Sequence, residues 1–218
     1  MLMTIHDFSV KKSILNKFIS EIRDENLQKD SLRFRRNIER IGEILGYEMS
    51  QVLNYSSQEI TTPLGIKPIE LITEELVLCS ILRAGLPLHN GLLNYFDDVE
   101  NAFVSAYRKH TSETNFTIEV EYLASPSFDG KTLILADPML ATGRSLVETY
   151  KAMLKNGVPK QTHIVAVIGS TEGIAYIKKH FPENTHLWIA TVDNKLNDKG
   201  YILPGLGDAG DLAYGSKL

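Results

Sequence analysis

One cysteine in 218 residues, Cys79, excludes an internal disulfide. It sits inside an apolar run, which suits a buried, inert thiol. No apolar stretch approaches the roughly 20 residues of a membrane-spanning helix, and no signal-peptide pattern opens the chain, so the expected location is the cytoplasm, with no membrane partner. Basic charge is not in excess. The 23 Lys and Arg stand against 27 Asp and Glu, and a net −4 argues against an electrostatically driven nucleic-acid binder while allowing a local basic groove. Repeats, biased tracts and interdomain linkers are also missing. With 43% hydrophobic and 23% charged residues the composition is that of a soluble globular protein, and the length suits a single domain over 1–218.

Whole chemistries are missing too. There is no G-x-x-x-x-G-K-[ST] loop, and no G-x-G-x-x-G follows a strand. Gly205–Gly210 matches the second string by letters, but Pro204 precedes it and no helical pattern follows it. The six histidines lie far apart without zinc-type spacing, which suits structural or solvent-facing roles. No G-x-S-x-G elbow occurs.

What is present alternates between two periods. Ile14, Leu15, Phe18, Ile19 and Ile22 predict a helix ending near Asp24, and Phe34, Ile38, Ile41 and Leu45 a longer one after Ser31. Arg33, Arg35, Arg36, Glu39, Arg40 and Glu43 read as its solvated, charge-paired face. Pro63, Gly65 and Pro68 predict irregular or extended chain between Val52 and Ile69. Leu76–Leu82 reads as a strand buried on both faces, followed by a helix over Leu86–Phe96. Asn101–Tyr107 predicts a strand ending at Arg108, and Phe116–Leu123 a half-exposed antiparallel one, with Lys109–Asn115 as hairpin or mobile flap. A strand from Lys131 to Ala136, a loop through Ser145 and a helix from Leu146 follow. Then come strand His163–Gly169, helix Glu172–His180 and strand Thr185–Val192. Strands alternating with helices imply an α/β fold, a mainly parallel sheet flanked by helices. The tail, 193–218, is rich in glycine but holds Tyr201, Ile202, Leu203, Leu206, Leu212 and Tyr214, too apolar for a simple linker.

Arg83, Arg108 and Asp137 each directly follow a predicted strand. In an open parallel sheet, ligands bind beyond the carboxyl ends of the strands, near the reversal of strand order. Two arginine forks and a carboxylate there suit an anionic ligand carrying a divalent cation or a ribose hydroxyl pair. The loop Ala141–Ser145, opening a helix, suits a terminal monophosphate, although an ordinary β–α connection has the same pattern.

These residues also carry a resemblance. Asp137-Pro138-Met139-Leu140-Ala141-Thr142-Gly143-Arg144-Ser145 resembles the phosphoribosyl-diphosphate loop of uracil phosphoribosyltransferases, and Gly200–Asp211 resembles their uracil-binding segment. Ile81–Leu86 and Ser105–Arg108 are similar to the family's two arginine motifs. Ile22-Arg23-Asp24, Phe34-Arg35, Gly46-Tyr47-Glu48 and Thr62–Gly65 follow its N-terminal pattern. The loop alone marks a phosphoribosyltransferase; the tail is specific to the uracil enzymes. Four residues depart from the pattern: Arg144 in place of a second glycine, Lys109 in place of an acidic residue, and Ser80 and Pro87 beside the first arginine motif.

The resemblance implies a type I phosphoribosyltransferase fold with an N-terminal helical segment, a β-hairpin flap and a C-terminal hood (193–218) over the base. It implies UMP salvage: uracil and 5-phospho-α-D-ribose 1-diphosphate (PRPP) give UMP and diphosphate, with Mg2+ held mainly through PRPP. Arg83 and Arg108 take the diphosphate, Asp137 the ribose hydroxyls, and Ala141–Ser145 the 5′-phosphate, with Pro138, Met139 and Leu140 also in the PRPP site. Asp208 lies near sugar and metal, and Tyr201, Ile202, Gly207, Asp208 and Ala209 meet uracil. Asp137, Arg108 and Asp208 are the expected catalytic residues. A homo-oligomer is expected, dimer or tetramer, and GTP activates some relatives. Two alternatives stand beside this one: a purine or xanthine phosphoribosyltransferase, and an RNA-binding regulator on the same fold.

Overall fold

The protein's structure, a computed structural model, describes residues 3–110 and 116–217, with the backbone alone over 106–110 and 116–119. Residues 111–115 of the expected flap lie outside the described residues.

The chain starts with β1 (Thr4–Asp7), α1 (Leu15–Arg23) and α2 (Ser31–Ser50). Both helices follow the apolar periodicity, and Asp30 caps α2 by accepting the Arg33 N–H at 3.1 Å. The four residues of β1 are too short to show a period in sequence. Next come β2 (Tyr55–Thr62) and β3 (Gly65–Ile72), paired antiparallel with Thr62 opposite Gly65. The irregular or extended chain expected between Val52 and Ile69 is therefore extended, in a regular hairpin. Almost every residue of it is exposed, so no buried face imposed an alternation that could be read.

The central run is β4 (Leu76–Leu82), α3 (Gly85–Leu93), β5 (Glu100–His110), β6 (Phe116–Ala124), β7 (Thr132–Ala136), β8 (Met139–Leu140) and α4 (Arg144–Met153). It continues with β9 (Gln161–Ser170), α5 (Thr171–His180) and β10 (His186–Asp193), and the tail holds β11 (Lys195–Leu196), β12 (Ile202–Leu203) and α6 (Ala209–Tyr214). The main sheet has the order β1-β10-β9-β7-β4-β5-β6, with β8 beside β9. Every pairing in it is parallel except β5 with β6.

Side-chain alternation sorts two apolar layers. Val77, Cys79, Leu133, Leu135, Ile164 and Ala166 face Leu146, Val147, Tyr150 and Met153 of α4 and Ile177 of α5. Leu78, Ile134, Val165, Val167 and Trp188 face the opposite way, toward Phe34, Ile38, Ile41 and Leu45 of α2 and Leu88 and Leu92 of α3. Burial pushes the Cys79 thiol up to about 12, which agrees with an inert role.

Three expectations about element ends are corrected. Strand β5 does not stop at Tyr107: Arg108 lies within it, opposite Ile118, because β6 extends the ladder beyond the parallel strands. Helix α4 begins at Arg144, two residues before Leu146. The glycine-rich tail does enter a short helix, α6, which its few residues could not reveal as a period.

Candidate active site

The sheet order reverses between β4 and β7. From β4 the chain moves outward to β5 and β6, then returns to the other side of β4 with β7 and continues to β9 and β10. The carboxyl ends of β4 and β7 thus flank the switch point, and the residues that follow them are Arg83 and Asp137. Arg108 is near the same end of the sheet, three residues beyond Ser105, which pairs with Leu82.

Asp137 is fixed by its backbone. Its N–H donates to the Val165 carbonyl at 3.1 Å, and its Oδ1 accepts the Met139 N–H at 3.2 Å. Burial pushes its carboxyl up to about 6, and the Met139 bond offsets only part of that. Such a carboxylate gains from any hydroxyl donor or cation that reaches it.

Beyond Asp137, β8 adds Met139 and Leu140 to the edge of β9, opposite Ile168 and Gly169. Ser170 braces the loop by donating to the Ala141 carbonyl at 2.6 Å and accepting the Gly173 N–H at 2.8 Å, which also caps α5. Gly143 is the N-cap of α4 with φ 74°, a left-handed conformation that L side chains resist. A Cβ there would also stand 2.9 Å from the Gly173 carbonyl oxygen. Among the described residues no side chain forms a cap bond to this helix start, so its N-terminal dipole faces the loop. Arg144 occupies the first helical turn, and its N–H reaches Thr142 Oγ1 at 3.4 Å. Among the described residues none but glycine has positive φ, so the missing second glycine costs the loop no strain here.

The tail closes over this end of the sheet. Arg83 Nη2 donates to Asp211 Oδ1 at 3.1 Å and to the Gly215 carbonyl at 3.2 Å. Asp208 caps α6 by accepting the Asp211 N–H at 3.0 Å, and its Oδ2 lies 3.8 Å from Lys217 Nζ. Arg35 Nη1 donates to the Ala213 carbonyl at 2.6 Å, so one member of the expected solvated face on α2 holds the tail instead. Ile202 and Ala209 are buried, whereas Tyr201 is 42% exposed. Gly207 and Asp208 border a cavity of about 500 Å3 that also meets Glu25, Gln28, Lys29, Leu206 and Asp211. The buried Gln28 Oε1 has no hydrogen-bond partner among the described residues.

Arg23 and Asp193 were not among the sequence candidates. Arg23 binds Asp193 through two nitrogens, at 2.7 and 2.9 Å, and also donates to Thr191 Oγ1 and the Gly205 carbonyl, both at 3.1 Å. Burial alone would raise the Asp193 carboxyl; Arg23 and the Gly205 N–H hold it below its usual range. A signal existed in that Asp193, like Asp137, ends an apolar strand.

A metal must fit what is present. Among the described residues no three His, Cys, Asp or Glu side chains are grouped to cage an ion. Mg2+ seldom needs such a cage, since one or two carboxylates and substrate phosphates hold it. Asp137 and Asp208 fit that lighter demand.

The family model for uracil phosphoribosyltransferase matches residues 9–216. A uracil phosphoribosyltransferase from Porphyromonas gingivalis is 51% identical over 216 residues, 99% of this chain and 100% of its own. One from Thermococcus gammatolerans is 40% identical over 205 residues, 93% of this chain and 89% of its own. Among solved structures, the AQ2163 protein from Aquifex aeolicus superposes with a TM-score of 0.85 at 30% identity, covering 98% of this chain and 100% of that one. A hypoxanthine phosphoribosyltransferase from Staphylococcus aureus shares the fold, with a TM-score of 0.51 at 16% identity over 74% of this chain and 76% of that one. The chain belongs to the uracil phosphoribosyltransferase family.

Proposed function

We propose that the chain is a pentosyltransferase of UMP salvage, converting uracil and PRPP to UMP and diphosphate as a single domain over 1–218. One observation carries this reading: the tail that resembles a uracil-binding segment is bonded to Arg83 at the switch point, beside Asp137. Elements proposed for base and phosphoribosyl group, distant in sequence, meet at one end of the sheet.

Displacement at the anomeric carbon develops positive charge on the sugar and negative charge on the departing diphosphate. It needs no protein nucleophile, only positioning and electrostatic complementarity. Arg83 and Arg108 hold the diphosphate, and the Asp137 carboxylate accepts from the ribose hydroxyls. The Pro138–Ser145 loop and the start of α4 hold the 5′-phosphate. When bound, Mg2+ supplies charge neutralisation at the diphosphate, and Asp137 and Asp208 are the side chains that would hold it. Ile202 packs on the base while the backbone between Gly207 and Ala209 reads its edge. A site built for O2, N3–H and O4 rejects cytosine, whose N3 accepts and whose C4 group donates.

The active form we infer is a homo-oligomer. The β2–β3 hairpin supports this: it leaves Leu64 and Ile66 98% and 65% exposed, and a lone two-stranded hairpin is marginal in water. A cytoplasmic location follows from the salvage role, and no described helix is long and apolar enough to cross a membrane. The test is direct. Purified protein with Mg2+ forms UMP from uracil and PRPP and forms no nucleotide from hypoxanthine or xanthine; absence of UMP overturns the reading.

A further inference from the structure

We propose that Arg23 is the positioning residue that sets the base-binding segment, and with it the affinity for uracil, from outside the site. This rests on the proposed role of the tail in holding uracil.

The Gly205 peptide is gripped from both sides. Its carbonyl accepts from Arg23 Nη1 at 3.1 Å, and its N–H donates to Asp193 Oδ2 at 2.9 Å. Arg23 and Asp193 are themselves joined by the fork-to-carboxylate pair, and the second guanidinium nitrogen also reaches Thr191 on β10. One arginine at the end of α1 therefore ties three things together: the last turn of a helix, the carboxyl end of a sheet strand, and the turn between Ile202 and Gly207. Both flanking residues belong to the segment assigned to the base.

Within that turn Leu206 packs into the core, but the polar groups of the Gly205 peptide are held only from outside the turn among the described residues. Gly205 has φ 62°, and its Cα is so close to Ile202 that an added Cβ would lie 2.1 Å from the Ile202 carbonyl oxygen. The nearby strand pair β11–β12 spans only two residues on each side. Beyond the turn, the next anchors are on α6, at Asp211 and Ala213. Between β12 and α6, Leu206 is buried in the core, and Arg23 and Asp193 supply the side-chain hydrogen bonds to the chain among the described residues. Movement there would shift the backbone that meets the base and leave Asp137 and the phosphate loop in place.

A fixed fork is needed for this. Lysine carries the same charge but a single nitrogen, which cannot serve Asp193, Thr191 and Gly205 together. The substitution thus separates charge from geometry.

The experiment measures UMP formation by wild type, Arg23→Gln and Arg23→Lys, varying uracil at saturating PRPP and PRPP at saturating uracil. The expected result is a KM for uracil raised about tenfold in R23Q and about threefold in R23K, with the KM for PRPP within about twofold of wild type. Equal rises in both KM values, or an unchanged uracil KM in R23Q, overturn the proposal; either marks Arg23 as a general structural bond. Should R23Q melt below the assay temperature, R23K alone decides by the same split between the two KM values. A wild type that makes no UMP defeats the functional reading itself, whereas an active wild type with an insensitive R23Q defeats only this proposal.

Discussion

The loop proposed to hold the 5′-phosphate and the tail proposed to hold the base lie at the same end of the sheet, yet they are built by different rules. The loop is local. A buried strand, a short turn and a helix start occur within 131–153, and neighbouring elements merely brace it through Ser170. The tail has only a two-residue strand pair and a six-residue helix of its own. Its position comes from Ile202, Leu206, Ala209 and Ala213 in the core and from arginines on α1, on α2 and after β4. A monophosphate is bound by helix geometry that any β–α turn can supply, whereas a small planar base needs a backbone edge at one place, and that place must be held from elsewhere.

The contrast can be broken most severely at Asp137. Replacing it by Asn should lower kcat/KM by roughly 100-fold, because the ribose hydroxyls lose an ionised acceptor. Stability should move the other way, with Tm higher by roughly 2–4 °C for each kcal/mol of relieved burial. The sign follows from the raised value near 6: ionisation is penalised in the folded state only, so the stability gain of D137N is present above pH 6 and disappears as the pH falls toward 4. For the same reason the wild-type kcat/KM should fall as the pH drops through about 6. Thermal melts and pH–rate profiles of both proteins check this; a lower Tm for D137N at pH 7.5 would refute it.

Two glycines sharpen the comparison. Alanine at either left-handed position costs about 1–2 kcal/mol from backbone alone. Gly205→Ala should cost more than Gly143→Ala, since its Cβ meets a carbonyl at 2.1 Å against 2.9 Å. G205A should raise the KM for uracil and G143A the KM for PRPP, and steady-state kinetics reversing that assignment would remove the division between the two regions.

Smaller again is Ser170→Ala. It removes a helix cap worth about 1 kcal/mol and the brace on Ala141, so a modest rise in the KM for PRPP with an unchanged KM for uracil is expected.

The smallest effect lies far from the cleft. Burial, then His186, lowers the His163 imidazole to about 3, while Trp188 Nε1 donates to its Nδ1 at 3.0 Å. The neutral ring is favoured by folding, so this contribution is intact above pH 6.5 and drains away as the pH falls toward 3. His163→Gln should flatten the acid side of the Tm–pH curve without altering either KM.

The parts of the fold that could be read in advance share a cause. Leu76–Leu82 and the β7 run are buried on both faces, and α2 repeats Phe34, Ile38, Ile41 and Leu45, so burial wrote itself into the residue pattern. The β2–β3 hairpin buries almost nothing and left no pattern, and β1 is too short to hold one. Arg108 was placed at a strand end because periodicity cannot tell where an antiparallel partner prolongs a ladder. For the site, Arg83 and Asp137 were legible because each polar residue interrupts an apolar strand. Arg23 was not, because it looks like any charged residue at the end of an amphipathic helix.

By itself the amino-acid order determined the alternating α/β elements, the strand–loop–helix over 131–153 and the family. These depend on short-range spacing: side chains two apart on a strand, three or four apart on a helix, and glycine where φ must be positive. Only the tertiary structure decided that the strand order reverses between β4 and β7. It alone brought the tail against Arg83 and gave the Gly205 turn to Arg23 and Asp193, which are 170 positions apart. Such contacts follow from how the sheet and helices pack, and no local spacing records which distant carboxylate an arginine will meet.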